Sequence, residues 1–96
     1  MTIRRLVIDV LIPHHPEVIE YAQRISSLDG TDGLALHVLE HDESTKTVEM
    51  TIEGENLSLD SIKEIVEELG GSVHSVDMVS AGSRIVESCA RRQGNV

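Results

Sequence analysis

Tryptophan and phenylalanine are missing from this chain, and Tyr21 is its one residue of the Phe, Trp and Tyr class. Any core must therefore be aliphatic, assembled from Leu, Ile, Val and Met. Cysteine occurs once, as Cys89, which excludes an intramolecular disulfide and a thiolate metal cluster and fits a reducing, cytoplasmic setting. Lysine is nearly absent, at Lys46 and Lys63 alone, and with arginine it gives 8 bases against 17 acids, a net charge of -9. Phosphate binding needs clustered Lys and Arg, so nucleic acid is a poor partner, and an anionic membrane surface is equally unsuitable. The acidity suits solubility in a salty cytoplasm and leaves room for cations. No apolar run approaches the roughly 20 residues of a membrane-spanning helix, and the N-terminus lacks the charged-then-apolar pattern of a signal peptide.

The 96 residues suffice for one domain with a modest core. The stretch Arg5-Leu6-Val7-Ile8-Asp9-Val10-Leu11-Ile12-Pro13 reads as a central strand, rich in β-formers and stopped by Pro13. Alternation puts Leu6, Ile8, Val10 and Ile12 on one apolar face, and Arg5, Val7, Asp9 and Leu11 on the other. Helical spacing from about Pro16 to Leu28 gathers Val18, Ile19, Ala22, Ile25 and Leu28 into a buried stripe. Gly33 to Asp42 and Lys46 to Glu53 alternate as a hairpin around a polar turn. Ser58 is a suitable N-cap for a second helix with Leu59, Ile62, Ile65, Val66 and Leu69 on its apolar stripe, ended by Gly70-Gly71. Ser72 to Ser80 is a fourth strand, and Arg84-Ile85-Val86-Glu87 is a short strand or helix beyond it.

The order β-α-β-β-α-β predicts an α+β, ferredoxin-like fold, a four-stranded antiparallel sheet in strand order 4-1-3-2 with both helices on one face. Residues 1–82 would form that domain, and 83–96 a C-terminal extension contacting a neighbouring subunit. The helices would cover Leu6, Ile8, Val10 and Ile12. The opposite face would show Val7, Leu11, Val73 and Val79 among Thr51, Glu49, Glu53, Asp9, Asp77 and His37. A bare, partly apolar sheet face or a strand edge usually meets a partner, so a homo-oligomer is expected.

The motifs Leu6-Val7-Ile8-Asp9-Val10-Leu11, Pro13-His14-His15-Pro16 and the run from Gly70 to Gly82, with Val48-Glu49-Met50-Thr51-Ile52-Glu53-Gly54 between them, resemble the archaeal domain-of-unknown-function family 211 over nearly the whole chain. The resemblance implies a ferredoxin-like fold, a multi-subunit assembly, a divalent cation such as calcium and no established activity. Where that family tends to carry Lys, Glu and Glu, this chain has Ile12, His15 and Met78, which removes two acids from any site carried over.

Two constellations bear chemistry. Setting Ile12 opposite His74 on the adjoining first and fourth strands sets Asp9 opposite Asp77. Two facing carboxylates repel unless compensated, and a hard cation such as Ca²⁺ or Mg²⁺, which takes several oxygen ligands, would compensate them. Glu49, Glu53, Thr51 or Ser75 would add oxygens. The bland alternative is pairing with Arg4, Arg5 or Arg84. The same topology lets His14 approach His74, with His15 nearby, a set suited to Zn²⁺ or Ni²⁺, although His41 would lie across the sheet and the spacing matches no zinc pattern. Ser83, Cys89 and the histidines form no nucleophilic triad, and the glycines form no phosphate loop. The residues thus favour a non-enzymatic, homo-oligomeric module binding a divalent cation at Asp9 and Asp77, with Glu49, Glu53, His14 and His74 as further ligands. The alternative is a regulatory domain that binds a small, amino-acid-type effector between subunits.

Overall fold

The computed structural model describes residues 2–87, arranged as β1 (Ile3–Pro13), α1 (Val18–Ser26), β2 (Thr31–His41), β3 (Thr45–Gly54), α2 (Leu59–Glu68) and β4 (Ser72–Ala81). The strands form one antiparallel sheet in the order β2-β3-β1-β4, and the arrangement is the ferredoxin-like fold that the element order predicts. β1 occupies the middle because it is apolar on one face and largely apolar on the other. Leu6, Ile8, Val10 and Ile12 are buried with Val48, Met50 and Ile52 of β3. Tyr21 and Ile25 of α1 and Ile62, Ile65 and Val66 of α2 close over them, which places both helices on that face. Full burial of one such aliphatic side chain stabilises by about 1.5–3 kcal/mol, so the β1 row anchors the fold. No helix among the described residues is long and apolar enough to cross a membrane, which says nothing of a β-barrel.

The helices begin and end as local chemistry directs. Ser58 Oγ accepts a hydrogen bond from the Ser61 N–H at the start of α2. The buried Tyr21 hydroxyl donates to the Leu69 carbonyl at the end of α2, tying one helix to the other (2.9 Å). Arg24 and Glu68 form an ion pair between the helices. Ile19, placed by its spacing in the α1 stripe, is instead 68 % exposed. α1 begins at Val18 rather than Pro16, and its buried pair is Tyr21 and Ile25, which turns Ile19 outward.

β3 pairs with β1 without interruption, from Arg5 opposite Glu53 to Pro13 opposite Thr45. β4 does not. Its register against β1 shifts between Val76 and Met78 and again between Val73 and Ser75, so that Asp77 and His74 have no partner across the pair. Each β-bulge inserts one residue and resets the alternation. As a result Val79, Val76 and Val73 pair with Leu6, Ile8 and Val10, all of them residues of the helix-covered face. The expectation that Val73 and Val79 line the open face is therefore corrected. β2 has similar shifts at Asp32 and Leu39. The segment Arg84–Glu87 is neither strand nor helix. Residues 88–96 of the expected C-terminal extension lie outside the described residues.

Candidate functional site

The face without helices carries the chemistry. Residues paired across adjacent strands share a face, so the register lays out rows across it. One row runs His37, Glu49, Asp9, Ser75 from β2 through β3 and β1 to β4. Beside it lie Ala35, Thr51, Val7 and Met78 on one side, and Glu40, Thr47, Leu11 and Ser72 on the other. A further row, Gly33, Glu53, Arg5 and Ser80, closes the end near the N-terminus.

Asp9 stands opposite Glu49, not opposite Asp77. The cross-strand neighbour of Asp9 on β4 is Ser75, because the two bulges shift the strand relative to the simple alternation that would set Ile12 against His74. Asp77 sits in one of those bulges and accepts a hydrogen bond from the Ser75 hydroxyl (2.8 Å). The like-charge pair expected on β1 and β4 thus exists on β1 and β3. Among the described residues, Asp9 Oδ1 is buried and receives no hydrogen bond. A carboxylate oxygen removed from water without a donor costs free energy that some partner must offset. A cleft of about 340 Å³ opens beside it, lined by Asp9, Val10, Leu11, Glu40, Thr47 and His74.

The remaining candidates separate. Glu53 is held by Arg5, whose Nε donates to it at 2.8 Å. Arg5 also reaches Glu87 at 2.9 Å. Glu87 first and Glu53 second hold the Arg5 guanidinium above its ordinary pKa, so this cation stays charged at every working pH. His74 joins Asp9 in the cleft, whereas His14 does not approach it. His14 Nε2 lies 2.9 Å from the Asp42 carbonyl, and its ring stacks on His41 with centroids 6.3 Å apart. The expectation that His41 lies away from His14 is corrected: β1 ends beside the β2–β3 turn, since Pro13 pairs with Thr45. His15 is exposed in the same region. Arg4, offered as a partner for Asp9, instead donates to the Gly82 carbonyl and faces Glu55. Among the described residues no group of three or more His, Cys, Asp or Glu side chains is gathered closely enough to hold a metal ion. Glu40 and Thr47 are site residues that sequence reasoning missed. The phase of Glu40 is hidden by the extra residue, Leu39, which shifts it onto the open face, whereas Thr47 lies in plain alternation with Glu49 on β3.

The Asp9 oxygen, which lacks a hydrogen-bond partner among the described residues, would fit a cation, and Glu49 stands across the strand pair from it. Calcium takes about 6–8 oxygens, so water or a second copy would have to complete such a shell.

Comparison with known proteins fits this fold and leaves the chemistry open. An uncharacterized protein of Methanocaldococcus jannaschii, MJ0319, is 48 % identical over 85 residues, spanning 88 % of each chain. The family model for DUF211, described as "Uncharacterized ArCR", matches residues 4–95. The match spans the sheet from the second residue of β1 onward, both helices and the open-face row, and the chain therefore belongs to the DUF211 family.

Proposed function

We propose that this chain is a non-enzymatic, homo-oligomeric cytoplasmic module that binds a divalent cation, calcium or magnesium, on the open sheet face at Asp9 and Glu49. The observation that carries the reading is the buried Asp9 Oδ1, which has no donor among the described residues and lies on a residue directly across the strand pair from Glu49. A hard cation answers both the missing hydrogen bond and the like-charge repulsion. Asp77, two positions along β4 from Ser75, is a further oxygen donor on the same strand. Among the described residues the site offers too few ligands for such a cation, which is why the reading includes assembly: a second copy over the open face would supply more.

A second reading is favoured by the cleft. Its 340 Å³, its aliphatic Leu11, and its polar groups on Asp9, Glu40, Thr47 and His74 suit a small amine-bearing effector of amino-acid size better than a bare ion. Fold-level likeness to regulatory domains adds little to this, because fold does not specify function.

Thermal denaturation separates the two. Calcium or magnesium should raise the melting temperature of the metal-stripped protein, by linkage worth about 2.7 kcal/mol at a hundredfold excess over Kd. The rise should disappear in Asp9→Asn and in Glu49→Gln. If neither ion moves the transition while a panel of amino acids and amines does, the cation reading is wrong and the effector reading stands.

A further inference from the structure

We infer that the cleft beside Asp9 takes a short aliphatic diamine, with one ammonium at Asp9 and the other at Glu40, a ligand class that rests on the effector reading above and narrows it. The cleft holds about 340 Å³ and is lined by both acids together with Leu11, Thr47 and His74. The acids lie at opposite corners. Asp9 is on β1 in the row of Glu49, and Glu40 is on the rim strand β2 in the row of Thr47 and Leu11, two positions further along. Asp9 Oδ1 is closed off from water and has no hydrogen-bond partner among the described residues. A cationic N–H donor removes the cost of that empty acceptor, and the His74 imidazole offers a second acceptor nearby. Leu11 is 41 % exposed and lies across the strand pair from Thr47. These two side chains give the cleft an apolar floor on which methylenes lose contact with water.

Charge decides against an amino acid. Among the described residues no lysine or arginine lines the cleft, and Arg5, on the same sheet face, is engaged by Glu53 and Glu87. A ligand carboxylate would enter beside Asp9 and Glu40 with no guanidinium to meet it, and like charges held close repel. The same ligand without its carboxylate brings two positive ends to two negative ones. Length selects the diamine over a metal ion for this pair of acids. Strands about 4.8 Å apart, rising about 3.3 Å per residue, separate the Asp9 and Glu40 backbones by about 12 Å. A calcium ion, with oxygen distances of about 2.3–2.6 Å, does not bridge that span. A diamine of about four or five methylenes holds its ammoniums about 6–8 Å apart at single-bond dimensions. A charge-assisted hydrogen bond of about 2.8 Å at each end extends the reach to about 12–13 Å.

Calorimetric titration and amide NMR of the full-length, EDTA-treated protein test the assignment with tetramethylenediamine, ethylenediamine, butylamine and ornithine. Tetramethylenediamine should bind one to one, shifting the amide signals of Asp9, Leu11, Glu40 and Thr47 and leaving those of Ile62 and Val66 in place. It should bind at least about tenfold tighter than butylamine, the worth of a second charged hydrogen bond. Ethylenediamine is too short to reach both acids and ornithine carries an unmatched carboxylate, so both should fall to the butylamine level or below. Glu40→Gln should bring tetramethylenediamine down to that level, and Asp9→Asn should abolish its binding. Ornithine as tight as tetramethylenediamine would overturn the diamine assignment and leave the effector reading standing. Binding of no amine at all would overturn both and leave the calcium reading to its own titration. Shifts scattered over the whole acidic surface, or an unchanged diamine affinity in Glu40→Gln, would overturn the placement between Asp9 and Glu40.

Discussion

At the scale of single residues, Asp9 and Tyr21 show opposite solutions to burying a polar atom. Tyr21 hides its ring completely yet gives its hydroxyl hydrogen to the Leu69 carbonyl. Burial pushes its pKa above the ordinary 10.0, since the interior disfavours the phenolate. The folded state thus holds the proton more tightly than the unfolded chain does. The resulting contribution to stability is complete below pH 10.0 and is lost as pH rises through the raised folded value. Tyr21→Phe should cost about 1 kcal/mol at neutral pH for the lost hydrogen bond. It should also flatten the fall in stability above about pH 10, as urea titrations at a series of alkaline pH values would record. Asp9 has no such partner within the described residues, and its position is conspicuous from its neighbours alone: an acid inside Leu6-Val7-Ile8-Asp9-Val10 is out of keeping with the apolar run around it. Which acid faces it is not written in that run. Glu49 lies on a cleanly alternating strand and reads as an accessory oxygen, whereas strict alternation of β4 singles out Asp77, and the bulges abolish that alternation.

At the scale of elements, every strand and helix in the sheet order is legible in the sequence, because each carries a strong period and a stop signal. The period of 2 in Lys46–Glu53 and the Ser58 cap before an apolar stripe are read directly from side-chain chemistry. The bulges of β4 are not legible: an unpaired His74 or Asp77 differs in no local propensity from a paired one, and only the fit against β1 decides. A valine at every third position, 73, 76 and 79, is the available signal, since it conflicts with strict alternation. Close backbone approach is another element-scale property. At Gly54, the end of β3, an added Cβ would run into the Gly30 carbonyl, which itself accepts a hydrogen bond from the Glu55 N–H (2.8 Å). Backbone cannot yield there as a flexible side chain would. Gly54→Ala should therefore destabilise at or beyond the upper end of the roughly 1–3 kcal/mol seen for overpacked sites. Gly33→Ala, with open space around its Cβ, serves as the control in the same chemical-denaturation series.

For the whole molecule, the decisive property is asymmetry. One sheet face is sealed by two helices and the other presents Asp9, Glu49, Glu40 and His37 with scattered apolar residues, Val7, Leu11 and Met78. That surface is more polar than a strict alternation of β4 would make it. Hydrophobic attraction alone is therefore a weak drive for self-association, and assembly should respond to whatever neutralises the acids. Sedimentation equilibrium at micromolar concentration should show an oligomer whose stability increases with calcium. A monomer with and without the ion would remove the assembly from the proposed function.

The interrupted outer strands carry one more consequence. β2 and β4 are the two rims of the sheet, and each loses step with its inner neighbour at two places or more. A rim kinked in this way offers a newcomer only short straight stretches of main chain, so sheets of separate molecules cannot fuse rim to rim over their full length. Protein of this design should stack or close upon itself in finite numbers and resist growth into fibrils, a safeguard fitting for a chain whose bare rims are 11 and 10 residues long.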